Sequence, residues 1–180
     1  MTETVDRSRS IAGRVAVVTG AASGMGAATA RLFAAEGAQV AVTDLDLPAC
    51  EELAAECGNG ARAYALDVAD KQSVSSFFEW AGETLGSINI LVNSAGTNTR
   101  TRTMAEMDPA DWDRIMAINA SGAYYCMHAV LPQMREAGDG LIVNISSIAG
   151  LRASPLGGVA YCASKFAMTA LGIAVSNEDA

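Results

Sequence analysis

A chain of 180 residues, half of it apolar and 18% charged, is long enough to bury a substantial core and short enough to form one domain. Its net charge of −8 argues against nucleic-acid backbones and anionic membrane surfaces as partners, which leaves small molecules as the expected ligands. Cys50, Cys57, Cys126 and Cys162 form no C-x-x-C pair and no Cys/His cluster, so neither a metal site nor a disulfide framework is expected; they read as reduced thiols of a cytoplasmic protein.

Residues 1–12 mix Glu3, Asp6, Arg7 and Arg9 without an apolar run, which predicts a flexible leader and not a signal peptide. The first strand follows. The apolar run Val15 to Val18 passes into Thr19-Gly20, and then Ser23, Gly24, Met25 and Gly26 open an alanine-rich segment with helical spacing. A buried strand, a glycine turn and a helix start make a phosphate cradle: Gly20 permits the tight turn, Gly24 lets a pyrophosphate approach the backbone, and Gly26 lets helix and strand pack closely. The helix N-terminus adds unpaired N–H groups and partial positive charge.

The predicted helix Ala27 to Glu36 stops at Gly37, and a second strand, Ala38 to Thr43, closes on Asp44. Asp46 and Pro48 begin a helix through Cys57. Ala61 to Leu66 is the third strand and ends at Asp67; a helix from Asp70 or Lys71 reaches Leu85 and is stopped by Gly86. Ile88 to Val92 is the fourth strand and leads into Asn93, Ser94, Ala95 and Gly96. Asn98 to Thr103 reads as a loop, and Asp108-Pro109 starts one long helix to about Met134. Gly140 to Ile145 is the fifth strand, followed by Ser146-Ser147, a Gly/Pro-rich loop and a last helix from Val159.

Ile115 to Met134 has no Asp, Glu, Lys or Arg and the length of a membrane span, but Asn119, Ser121, Gly122, His128, Pro132 and Gln133 interrupt it; a helix buried on two sides of a soluble assembly is expected. His128 is expected to be a buried structural histidine.

Apolar strands alternating with helices predict a Rossmann-like, doubly wound α/β fold, a parallel sheet with helices on both faces. Ligands of such sheets lie beyond the carboxyl ends of the strands, which gathers the glycine turn, Asp44, Asp67, Asn93 to Gly96 and Ser146-Ser147 into one crevice. Asp44 stands where a carboxylate accepts from a ribose diol and repels a 2′-phosphate, so NAD is expected over NADP. Tyr161 and Lys165 share a helix face at i, i+4, a spacing that also serves a simple packed face. A tyrosine hydroxyl ordinarily ionises near pH 10, and a neighbouring ammonium favours the phenolate needed of a base at neutral pH. Ser147 can hydrogen-bond a substrate oxygen.

Together these stretches resemble the short-chain dehydrogenase/reductase family. Thr19 to Gly26 fits its TGxxxGxG turn, Asn93-Ser94-Ala95-Gly96 stands for its NNAG, and Tyr161-x-x-x-Lys165 matches its YxxxK. The resemblance adds Asn119 to Ser147, Tyr161 and Lys165 as a catalytic tetrad, and Asp67-Val68 as the adenine contact. It implies cofactor contacts from Gly20, Ser23, Gly24, Met25, Gly26, Asp44, Asn93, Ala95, Gly96, Tyr161 and Lys165, and no metal. It further implies interconversion of a secondary alcohol and a ketone, in which Tyr161 moves the proton, Lys165 supports it, Ser147 orients the substrate and Asn119 positions a relay water. The family's Ser-x-x-Gly pattern selects Ser147 over its rival Ser146, and Ser94 departs from the second asparagine of NNAG.

Residues 13–180 are thus expected to form one NAD-binding domain that lacks the family's last strands and substrate lid. A homodimer or homotetramer is implied for the complete protein. The competing expectation is a nucleotide-binding fragment without catalysis. Arg100, Arg102 and Arg152 border the expected pocket, as solvated arginines or as contacts to an acidic substrate.

Overall fold

The computed structural model describes residues 10–178. The expected leader therefore falls largely outside the described residues, as do the last two positions. Five strands, β1 Val15–Thr19, β2 Gln39–Asp44, β3 Arg62–Ala65, β4 Ile90–Asn93 and β5 Leu141–Asn144, form one parallel sheet in the order β3-β2-β1-β4-β5. The order reverses between β1 and β4, so a crevice opens beyond their carboxyl ends. The doubly wound architecture read from the sequence is the one observed.

β1 is buried along its whole length because its side chains serve two cores in alternation. Val15 and Val17 point to the side covered by α3 (Lys71–Leu85) and α5 (Gly122–Ala137), where Phe77, Leu91, Met127 and Val130 pack. Ala16 and Val18 point to the side covered by α1 (Gly24–Ala35) and α2 (Leu47–Cys57), where Ala30, Val40, Cys50 and Leu53 pack. Each buried Val or Leu contributes about 1.5–3 kcal/mol of transfer free energy, which makes this double-sided strand the anchor of the domain.

The helices begin where their caps allow. Asp46, Asp70 and Asp108 each accept a hydrogen bond from a first-turn N–H, and Pro48 and Pro109 occupy first-turn positions whose N–H is not needed. The first helix begins at Gly24, three residues before the sequence-based expectation, because the glycine turn itself runs into the helix.

The long helix expected from Asp108 to Met134 is three pieces: α4 (Pro109–Met116), a π-helical segment Ala117–Ser121, and α5, which continues to Ala137. Its burial also differs from expectation. α5 buries one face through Ala123, Cys126, Met127, Val130 and Met134, while Tyr124 and His128 lie exposed on the other. His128 is therefore a surface residue stacked 5.7 Å from the Tyr124 ring, not a buried one, because its position falls on the face turned away from the sheet.

Among the described residues the helix that has the length and hydropathy of a membrane span is α6 (Val159–Glu178), with a mean hydropathy of 1.4, and not the stretch from Ile115. Its inner face carries Ser164, Lys165 and Met168 into the protein, while Phe166 and Ile173 are exposed. At the sheet edge, β5 leaves Leu141 exposed.

Candidate active site

The crevice is built first by the turn after β1. Gly20 takes φ +65°, and a Cβ there would lie 2.6 Å from the Ala95 Cα; a Cβ on Gly26 would lie 2.3 Å from the Gly20 carbonyl oxygen. Backbone is thus packed on backbone on both sides of the turn. Gly24 differs: it takes φ +55° and faces open space. The buried Thr19 holds the next loop in place, its Oγ1 accepting from the Ser94 and Ala95 N–H groups at 3.1 Å.

Ser23 precedes α1 in extended conformation and provides no side-chain cap, so the first-turn N–H groups of α1 remain available to an anion. Asp44 closes the turn from the other side. Its Oδ2 accepts from Ala22 N at 3.1 Å and its Oδ1 from Asp46 N at 3.3 Å, which sets the carboxylate beside the glycines. Asp67 turns the chain after β3 by accepting from Ala69 N at 2.9 Å. Val68 points its side chain inward, 6% exposed and against Gly122, so any contact it makes with an adenine is through its backbone.

These features fit a dinucleotide on their own geometry. Open space over Gly24 and an uncapped helix start suit a pyrophosphate, and Asp44 suits a ribose diol.

The second half of the site comes from β4, β5 and α6. Asn93 is 2% exposed and gives its amide to Asn144 Oδ1 at 2.9 Å, joining the carboxyl ends of β4 and β5; its own Oδ1 is buried without a partner. Past β5, Ser146 and Ser147 separate in role. Ser146 Oγ is engaged with Thr169 Oγ1 at 2.8 Å and braces α6. Ser147 Oγ accepts from Ala149 N at 3.1 Å, capping a 3₁₀ turn at Ile148–Gly150 that the sequence did not announce. That bond uses a lone pair and leaves the hydroxyl proton for a substrate oxygen.

Lys165 is 4% exposed, with Nζ 2.7 Å from the Ile145 carbonyl and 5.8 Å from the centre of the Tyr161 ring. Burial holds its pKa below the ordinary lysine value. The Tyr161 hydroxyl makes no hydrogen bond within the described residues and opens on a cleft of about 580 Å³. Ser94, Gly96, Ser147 and Lys165 line that cleft with it, and Met25 brings the glycine turn to its wall.

Asn119 is wholly buried in the π segment and fully hydrogen-bonded. Its Oδ1 accepts from Thr97 N at 2.7 Å, and its Nδ2 donates to Thr97 O at 2.8 Å and to Ser164 Oγ at 3.0 Å. A Cβ on Gly96 would lie 3.5 Å from Asn119 Oδ1 and 3.6 Å from Lys165 Nζ, so both side chains close on the same face of that glycine.

Two residues of the loop after β4 also matter. Thr97 is the residue that Asn119 holds. Arg102 lines the cleft, as expected, and also braces it: it donates to the carbonyls of Thr99 and Leu156, while Asn98 Nδ2 reaches the Gly157 carbonyl at 3.2 Å. The loop after β4 and the loop before α6 are therefore cross-tied. Arg100 and Arg152 are exposed. Among the described residues no group of acidic, histidine or cysteine side chains could hold a metal. All four cysteines are free, and burial pushes the Cys50 thiol up to about 11 and the Cys126 thiol up to about 12, so neither is a nucleophile at neutral pH.

A cradle that fits a dinucleotide, a tyrosine hydroxyl beside an ammonium and a serine thus line one cleft at the carboxyl edge of the sheet. The family model for short chain dehydrogenases matches residues 14–180, and the chain belongs to that family. It is 48% identical over 157 residues to a D-threitol dehydrogenase of Mycolicibacterium smegmatis, covering 86% of this chain and 60% of that protein. It is 41% identical to a sorbitol dehydrogenase of Cereibacter sphaeroides, covering 88% and 62%. A metagenomic short-chain oxidoreductase solved in complex with NADP superposes with a TM-score of 0.89 at 35% identity, covering 94% of this chain and 77% of that one. The chain thus spans about 60% of the length of the curated relatives it matches.

Proposed function

We propose that the protein is a nicotinamide-dinucleotide-dependent oxidoreductase that interconverts a secondary alcohol and a ketone, with polyols as the first substrates to test and NAD as the preferred dinucleotide. The observation that carries this reading is the meeting of Tyr161, Ser147 and Lys165 in one cleft whose wall includes Met25 of the glycine turn. The dinucleotide, when bound, supplies the hydride acceptor or donor. The chain's own residues handle the proton and the orientation. Ser147 donates to the substrate oxygen, and Tyr161 Oη takes the alcohol proton in oxidation and returns it in reduction. The Lys165 ammonium stands beside the Tyr161 ring, and Asn119 holds the Thr97 backbone that borders the cleft.

The NAD preference rests on Asp44: its carboxylate accepts from a 2′-hydroxyl and repels a 2′-phosphate. NADP in the metagenomic relative makes this the sharpest point to test. Reduced, free cysteines suit the cytoplasm, and the exposed apolar positions on α5 and α6 suit a homodimer or homotetramer.

The experiment is titration of NAD and NADP into the chain, followed by absorbance of the reduced nicotinamide with threitol, sorbitol and simple secondary alcohols. Tyr161→Phe is expected to lower kcat by about 10²–10⁴-fold and leave dinucleotide affinity within about twofold. Tighter NADP than NAD binding would overturn the Asp44 argument. Binding without turnover of any alcohol would leave a nucleotide-binding protein and no enzyme.

A further inference from the structure

We propose that Ser164 is a positioning residue for Tyr161 and acts through Asn119, tying the helix that carries the acid/base to the loop after β4; this rests on the dehydrogenase reading of the site. Ser164 is wholly buried. Its hydroxyl accepts from Asn119 Nδ2 at 3.0 Å and donates to the Tyr161 carbonyl at 2.8 Å. A helical serine often bonds back to a carbonyl one turn earlier, which accounts for the second bond and not the first. The first reaches a different helix, at its π segment.

The chain of bonds is continuous: Thr97 backbone to Asn119 amide, Asn119 amide to Ser164 hydroxyl, Ser164 hydroxyl to Tyr161 carbonyl. Only a hydroxyl fits the junction. It must accept from an amide N–H and donate to a carbonyl at once, and alanine does neither while a thiol does both weakly. Without it one Asn119 N–H is left unpaired in a buried place, the cost of which is relieved by letting the amide turn away from Thr97. Tyr161 and the cleft wall at Thr97 then lose their common reference. A displacement near 1 Å at a reacting group costs about 10²-fold in rate, so a modest loosening has a measurable effect.

The test compares Ser164→Ala and Ser164→Cys with the unaltered full chain. The Thr97 amide, which donates to Asn119 Oδ1, is expected to exchange its hydrogen at least about tenfold faster in both variants, with β1 and β2 amides unchanged. In turnover, kcat is expected to fall about tenfold or more, with KM for the alcohol within about twofold. Unchanged Thr97 exchange in Ser164→Ala overturns the proposal. So does a loss of protection that spreads equally to β1 and β2, which marks general destabilisation. A Ser164→Cys variant that behaves like the unaltered chain also overturns it, since volume alone is then sufficient. If the unaltered chain turns over no alcohol, the dehydrogenase reading fails, while the exchange result still decides whether the tether exists.

Discussion

Lys165 concentrates the site's electrostatics in one side chain. It is an ammonium almost without solvent, held by a neutral carbonyl and a thioether and by no carboxylate. Burial lowers its pKa from the ordinary 10.5, so between the lowered value and 10.5 the unfolded chain binds more protons than the native one. Its contribution to stability therefore rises with pH through that window and is lost as pH falls through the native value. Denaturant unfolding from neutral pH to 10.5 should show the unaltered chain gaining stability relative to Lys165→Met; parallel curves would mean that the buried charge carries no cost.

Among the elements, the turn from β1 into α1 separates two duties of glycine that the sequence presents alike. Gly26→Ala drives a methyl group into the Gly20 carbonyl and is expected to cost more than about 2 kcal/mol, read as a lowered Tm. Gly24→Ala meets no atom and is expected to cost about 1 kcal/mol for its positive φ, yet to weaken dinucleotide binding by at least about tenfold. Equal effects on binding and Tm in both variants would refute the division. The turn and Asp44 were legible from hydrophobic pattern, each at a strand end, whereas Tyr161 and Lys165 stood out through their place after β5 and the family resemblance, since an i, i+4 pair also serves a packed face. The π segment was not, since the phase slip of one residue is lost in a stretch as uniformly apolar as Ile115 to Met134. Nor was the engagement of Arg102 with two loop carbonyls, which depends on two loops meeting in space. His128 went wrong for a related reason: composition says how apolar a helix is, and not which face meets the sheet.

Taken whole, the molecule is a sheet with unequal edges. β3 ends one side with Arg62 exposed, a charge that discourages pairing, while β5 ends the other with Leu141 53% exposed beside a groove bordered by Leu131, Ile142 and Val175. Leu141→Lys is expected to reduce concentration-dependent light scattering of the 180-residue chain with little change in dinucleotide affinity, because the edge lies away from the glycine turn. Undiminished scattering in the variant would move the association surface elsewhere, the exposed faces of α5 and α6 first.

The segment Ala117–Ser121 carries a consequence of a different kind. A π turn is an α-helix with a surplus residue, and each residue advances an α-helix by about 100°. Were the five wound as ordinary α-helix, everything after them would swing through about that angle, Tyr124 and the packed face of α5 included. The site therefore depends on a count as well as on identities. Two chains that share every motif residue but differ by one position in this helix would look alike to a motif search, cover the sheet alike and differ in whether Asn119 can face Thr97.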